Sequence, residues 1–128
     1  MELQVRIEPP KGGQQRIAIS GRIDTHTYQD LDQRLGPVLG NAQVDNLVLD
    51  LEGVSYISSA GVRSVFRARK ALAARGGKVL VLNPQPQIQK VFDIVKAVPV
   101  SDVFRSTAEL DAYLDKMQRK VVAGDDDD

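Results

Sequence analysis

The chain has 128 residues, 42% of them hydrophobic, with 17 bases against 17 acids, one histidine and no cysteine. That length suits a single domain, burying roughly 65–70% of the extended chain's surface on folding. Disulfides, thiolate catalysis, iron–sulfur clusters and cysteine zinc sites are excluded outright, and one imidazole cannot build a histidine-rich metal site.

From the start, Leu3, Val5 and Ile7 alternate with Gln4, Arg6 and Glu8, a half-buried strand closed by Pro9-Pro10. Gly12-Gly13 supplies a turn, and Arg16 to Ser20 alternates again, so an antiparallel hairpin is expected. Beyond Gly21, Tyr28, Leu31 and Leu35 lie at helical spacing, with Thr25 or Thr27 as cap. Gly36-Pro37 should break this helix, placing its regular part before Gly36. Asn46 to Asp50 reads as a strand covered on both faces, and Gly53 to Ser58 as its connection to a second helix. That helix carries Val62, Val65, Phe66, Leu72 and Ala73 on one face and ends at Gly76-Gly77.

Val79 to Leu82 reads as another buried strand. Pro86 opens a third helix with Ile88, Val91, Phe92 and Val95 inward, and Pro99 lies beyond its end. Val103-Phe104 is a candidate short last strand. Ser106 or Thr107 caps a final helix with Leu110, Tyr113, Leu114 and Met117 inward. The order predicts an α/β fold: a mixed central sheet of four or five strands, an antiparallel N-terminal edge hairpin and about four helices. One domain over residues 1–122 and a disordered acidic tail over 123–128 are expected.

Charge and composition narrow the partners. The terminal run Asp125 to Asp128 leaves the rest of the chain mildly basic, short of a nucleic-acid footprint, and aromatics make up only 5% with no basic interleaving. No apolar run approaches the ~18 residues that span a bilayer, and the alternating M-E-L-Q-V-R-I start has no signal-peptide core. The expectation is a cytoplasmic protein with no nucleic-acid or membrane partner and no cofactor. A flexible run of aspartates has no preorganised geometry for a divalent cation.

The most informative stretch runs from Leu47 to Val65. A buried strand leads through a short loop to Ser58-Ser59-Ala60-Gly61 and a helix. Either serine can cap that helix, its hydroxyl accepting from an N–H of the first turn. The alternative is a modification site: small Ala60 and Gly61 would leave a hydroxyl open at the positive helix end. A phosphate there carries about −1.5 to −2 charges and is tolerated by its own helix. Arg63, Arg67 and Lys70 form a stripe along this helix, either a solvated face or a contact face for an acidic partner. A hydrolase elbow fails because Ile57 replaces its first glycine and His26 lies far upstream. His26 is expected at the surface. No phosphate-loop or dinucleotide motif is present.

Over about Leu3 to Lys120 the chain resembles a STAS domain of the anti-sigma factor antagonist family. That family's motif is a strand, D-L, an apolar pair, then D-S-S-G and a helix. Here it reads D-L-E-G-V-S-Y-I-S-S-A-G-V from Asp50 to Val62, preceded by the family's G-x-[LI]-D turn as Gly21 to Asp24. The resemblance implies a partner that is both serine kinase and anti-sigma factor, of the histidine-kinase ATPase type. It implies a metal-dependent serine phosphatase as the reversing enzyme. Aligned on Gly61, the phosphoacceptor falls on Ser59, with Ser58 in place of the family's preceding acid and Ala60 in place of its second serine. Ser58 stays open as the alternative acceptor. Asp24 matches the acidic residue near the acceptor, and is equally readable as a turn acid. The expected contact set is Asp24, Ser58, Gly61, Val62, Arg63 and Arg67. The implied role is a non-enzymatic, phosphorylation-controlled binding switch. The alternative is a soluble STAS subunit of a lipid-transport or stress-sensing complex.

Overall fold

In the computed structural model, which describes residues 2–97 and 103–124, the N-terminal alternation builds the expected hairpin. Strand β1 (Gln4–Ile7) pairs antiparallel with β2 (Gln14–Ile23), Gln4 opposite Ser20 and Ile7 opposite Ile17. Helix α1 (Tyr28–Leu39) then crosses over to β3 (Asn46–Ile57), and α2 (Ser59–Ala73) to β4 (Lys78–Leu82). Both crossovers join parallel neighbours, and the sheet order is β1-β2-β3-β4. Helices α3 (Pro86–Ala97) and α4 (Thr107–Ala123) pack against each other, and α4 also touches α2. The core gathers Ile17, Ile23, Leu31, Leu49, Leu51 and Leu114, all fully buried. No helix among the described residues is long and apolar enough to cross a membrane.

Several expectations need correction. Helix α1 continues through Gly36-Pro37 to Leu39. A residue before proline avoids the helical region because of its Cβ, and glycine has none. Buried Val38 holds the extra turn in the core, and the Arg75 guanidinium donates to the Leu39 carbonyl at 2.8 Å and to Val44 O at 2.8 Å. The stretch from Gly53 to Ile57 is strand, not connection. Two register shifts against β2 lie between Ala18 and Ser20 and between Gly21 and Arg22. They break the period-two pattern that would otherwise announce a strand. Gly53 permits the close pairing there, since a Cβ would sit 2.6 Å from Ser20 Cβ.

Strand β4 is an exposed edge rather than a buried strand, with Leu80 49% exposed. Ala73 and Tyr113, placed inward from the sequence, face solvent. Tyr113 packs on Phe104, ring centroids 5.3 Å apart. Val103-Phe104 forms no strand, and the sheet has four strands among the described residues. Helix α4 passes Val122 to Ala123 and ends on Gly124, whose φ of 82° is the left-handed C-cap conformation. Pro99 and the run Asp125 to Asp128 lie outside the described residues.

Candidate functional site

The corner where β3 turns into α2 sits beside the turn that follows β2. Ser58 N–H donates to the Ile23 carbonyl at 2.8 Å, tying the two together. Gly61 makes the approach possible: a Cβ there would lie 2.6 Å from Ile23 Cγ2 and 2.8 Å from Ile57 Cγ1. The glycine of the A-G pair is thus required by packing. Ser58 is the N-cap of α2, its Oγ accepting from Gly61 N–H at 3.4 Å, and Ser59 is the first helical residue.

Asp24 organises the neighbouring turn. Its Oδ1 accepts from His26 N–H at 2.9 Å and from the Thr27 hydroxyl at 3.2 Å, and Arg22 lies 3.5 Å from Oδ2. Burial alone would raise its pKa, but the His26 and Thr27 hydrogen bonds and Arg22 outweigh burial and hold it below the usual carboxylate range. Asp24 is therefore a turn acid, ionised near neutrality, within the corner expected to receive a partner. His26 stands at the surface, its side chain 90% exposed. The Arg22 guanidinium lies 4.0 Å over the Tyr56 ring at the same end of the sheet.

The serine hydroxyl expected to stand open is covered. Ser58 and Ser59 are each only 3% exposed, and Ser59 Oγ is buried without a hydrogen-bond partner among the described residues. Helix α4 provides the cover. Asp111 Oδ1 accepts the Ser59 N–H at 2.8 Å. Gln118 accepts from Ile57 N–H at 3.0 Å and donates to the Ile57 carbonyl at 2.7 Å. These contacts span 52 and 61 residues, so local spacing could not reveal them. One signal was available: Gln118 falls on the apolar stripe of Leu110, Leu114 and Met117, where a polar side chain needs a partner. Asp111 also fills an electrostatic gap. The first turn of α2 has no acid of its own, and Asp111 brings one to its positive end.

The remaining expected contact residues divide. Gly61 and Val62 are buried and present no side-chain surface to a partner. Arg67 is exposed but engaged, 2.6 Å from Asp32 of α1 and 3.1 Å from Ser64 Oγ. Arg63 is exposed, with no ion pair or hydrogen bond among the described residues. Asp50 of the D-L pair is structural, accepting from Arg16 and, at 3.1 Å, from Glu52 N–H.

A four-stranded mixed sheet with a serine-bearing strand-to-helix corner, clasped by the last described helix, defines a small α/β domain. Residues 11–110 match the model of the STAS domain, and the chain belongs to the STAS domain family. It is 30% identical over 76 residues to the anti-sigma F factor antagonist of Lysinibacillus sphaericus, a match covering 59% of this chain and 65% of that one. It is 24% identical to the anti-sigma F factor antagonist of Paenibacillus polymyxa, covering 80% and 89%. Its fold matches that of the Bacillus cell fate determinant SpoIIAA in the phosphorylated form, with a TM-score of 0.62 at 22% identity, covering 80% of this chain and 98% of that one.

Proposed function

We propose that this chain is an anti-sigma factor antagonist that works as a phosphorylation-controlled partner switch. Unphosphorylated, it binds a serine kinase/anti-sigma factor of the histidine-kinase ATPase type across the Asp24 turn and the exposed Arg63 side of α2. Phosphorylated on Ser59 it lets go, and a metal-dependent serine phosphatase resets it. The chain is a substrate in this cycle and supplies no catalysis.

The observation that carries the reading is the seat of Ser59 as the first residue of α2, in the same corner as the ionised Asp24. A phosphate there gains from the helix end and from Arg63 one turn on. It also meets Asp111, whose carboxylate holds the Ser59 N–H. Two anions cannot share that position in a poorly hydrated corner. Phosphorylation thus requires the start of α4 to lift, and the phosphate then keeps it lifted. A partner docked on the corner would have to desolvate a dianion, at a cost of several kcal/mol without matching donors. The names of the relatives support the anti-sigma factor antagonist part of this reading.

Incubation with the cognate serine kinase and ATP should add one phosphate, lost in Ser59→Ala. Full labelling of Ser59→Ala with loss in Ser58→Ala would move the acceptor to Ser58. No labelling by any such kinase would overturn the switch.

A further inference from the structure

Beside Ser59 lies a cleft of about 590 Å³ between α2, the end of α3 and the start of α4, within the roughly 300–1,000 Å³ range of small-molecule sites. Its walls are largely apolar, with Phe66, Val95, Phe104 and Leu110 among them. Two guanidiniums, Arg63 and Arg105, line it as well. Both residues are exposed, and neither side chain has an ion pair or hydrogen bond among the described residues. Ser106, the N-cap of the 17-residue α4, also lines the cleft, so the positive end of that helix faces it. Two acids stand near it, each already accepting a backbone N–H: Glu109 Oε1 from Arg105 at 3.1 Å and Asp111 Oδ1 from Ser59 at 2.8 Å. The fourth feature is Ser59, which lines the cleft with a buried Oγ that lacks a partner. Buried hydroxyls are normally satisfied.

We propose that this cleft binds a small amphiphilic anion, with an alkyl body against the apolar walls and a single phosphate or carboxylate head between Arg63 and Arg105. Neither half of the site suffices alone. The arginines are exposed and would hold a free anion weakly, while the apolar walls give no orientation to an uncharged chain. Joined in one ligand, the two contributions add. The inference stands apart from the partner switch: it concerns the unphosphorylated chain by itself and requires no kinase.

Calorimetric titration of the full chain, purified without phosphate, tests it with three probes: octyl phosphate below its micellar concentration, inorganic phosphate and octanol. Octyl phosphate should bind saturably at one per chain, at least about tenfold more tightly than either of the others. Butyl phosphate should fall between octyl phosphate and inorganic phosphate. The double variant Arg63→Gln, Arg105→Gln changes only exposed side chains and should keep its fold by circular dichroism, yet lose about tenfold in affinity for octyl phosphate. Inorganic phosphate binding as well as octyl phosphate would show an anion site that leaves the apolar walls unused, and would overturn the proposal. Octanol binding as well as octyl phosphate, many molecules bound per chain, or an unchanged affinity in the double variant would overturn it too.

Discussion

Gly61 shows how one residue can be fixed by packing while looking like part of a reaction motif. A Cβ at this position would press into Ile23 and Ile57, side chains that are fully buried and have nowhere to retreat. Gly61→Ala should therefore destabilise the fold by about 1–3 kcal/mol, measured as a lower urea midpoint with unchanged slope. The ordinary helix-propensity gain of alanine over glycine would instead raise the midpoint. Asp50 sets an acid limit. Burial pushes its pKa up, but the Glu52 N–H and the Arg16 guanidinium outweigh burial and bring it below the usual value. A carboxylate with a depressed folded pKa stabilises above its unfolded pKa of about 3.9 and loses that contribution as pH falls through the folded value. Stability of the wild type should thus decline below about pH 4, and the decline should be shallower in Asp50→Asn. An equal slope in both proteins would remove Asp50 from the acid transition.

Among the elements, α4 has the largest part in the site and the faintest trace in the sequence. Its existence was legible from a cap at Ser106 or Thr107 and the stripe of Leu110, Tyr113, Leu114 and Met117; the structure bears out Ser106 and every member of the stripe but Tyr113. Its position was not, because Asp111 and Gln118 reach residues more than fifty positions away. The hairpin, the two parallel crossovers and the serine corner were likewise readable, since each is written in local period and turn chemistry. Three things were hidden by tertiary terms: the turn of α1 past Pro37, sustained by Val38 and Arg75; the second half of β3, masked by its register shifts; and the exposure of β4, which depends on edge position. The covered hydroxyl of Ser59 follows from the placing of α4. Asp111→Ala removes the N–H acceptor at the start of α2 and should cost about 1–3 kcal/mol. It should also speed hydrogen exchange at the Ser59 amide. Unchanged exchange there would mean that α4 does not clasp the corner. Arg75→Lys should not rescue Arg75→Ala, because an ammonium cannot span the carbonyls of Leu39, Asn41 and Val44 as the planar guanidinium does. Equal thermal midpoints for Arg75→Lys and the wild type would contradict that role.

At the scale of the whole molecule, the rigid part and the responsive part are separable. The sheet with α1 and α2 carries most of the buried core, whereas α4 closes over the serine corner through the Ser59–Asp111 hydrogen bond, the Gln118 contacts with Ile57 and the buried side chains of Leu110 and Leu114. A charge introduced beneath it can shift that segment and leave the sheet standing, which is what a reversible docking switch demands. The direct measure is the affinity of the kinase partner for two forms of the same chain, one unmodified and one carrying phosphate on Ser59 alone. The unmodified form should bind at least about tenfold more tightly, while both forms keep the same far-UV circular dichroism spectrum. Equal affinity of the two forms for the partner would contradict the account.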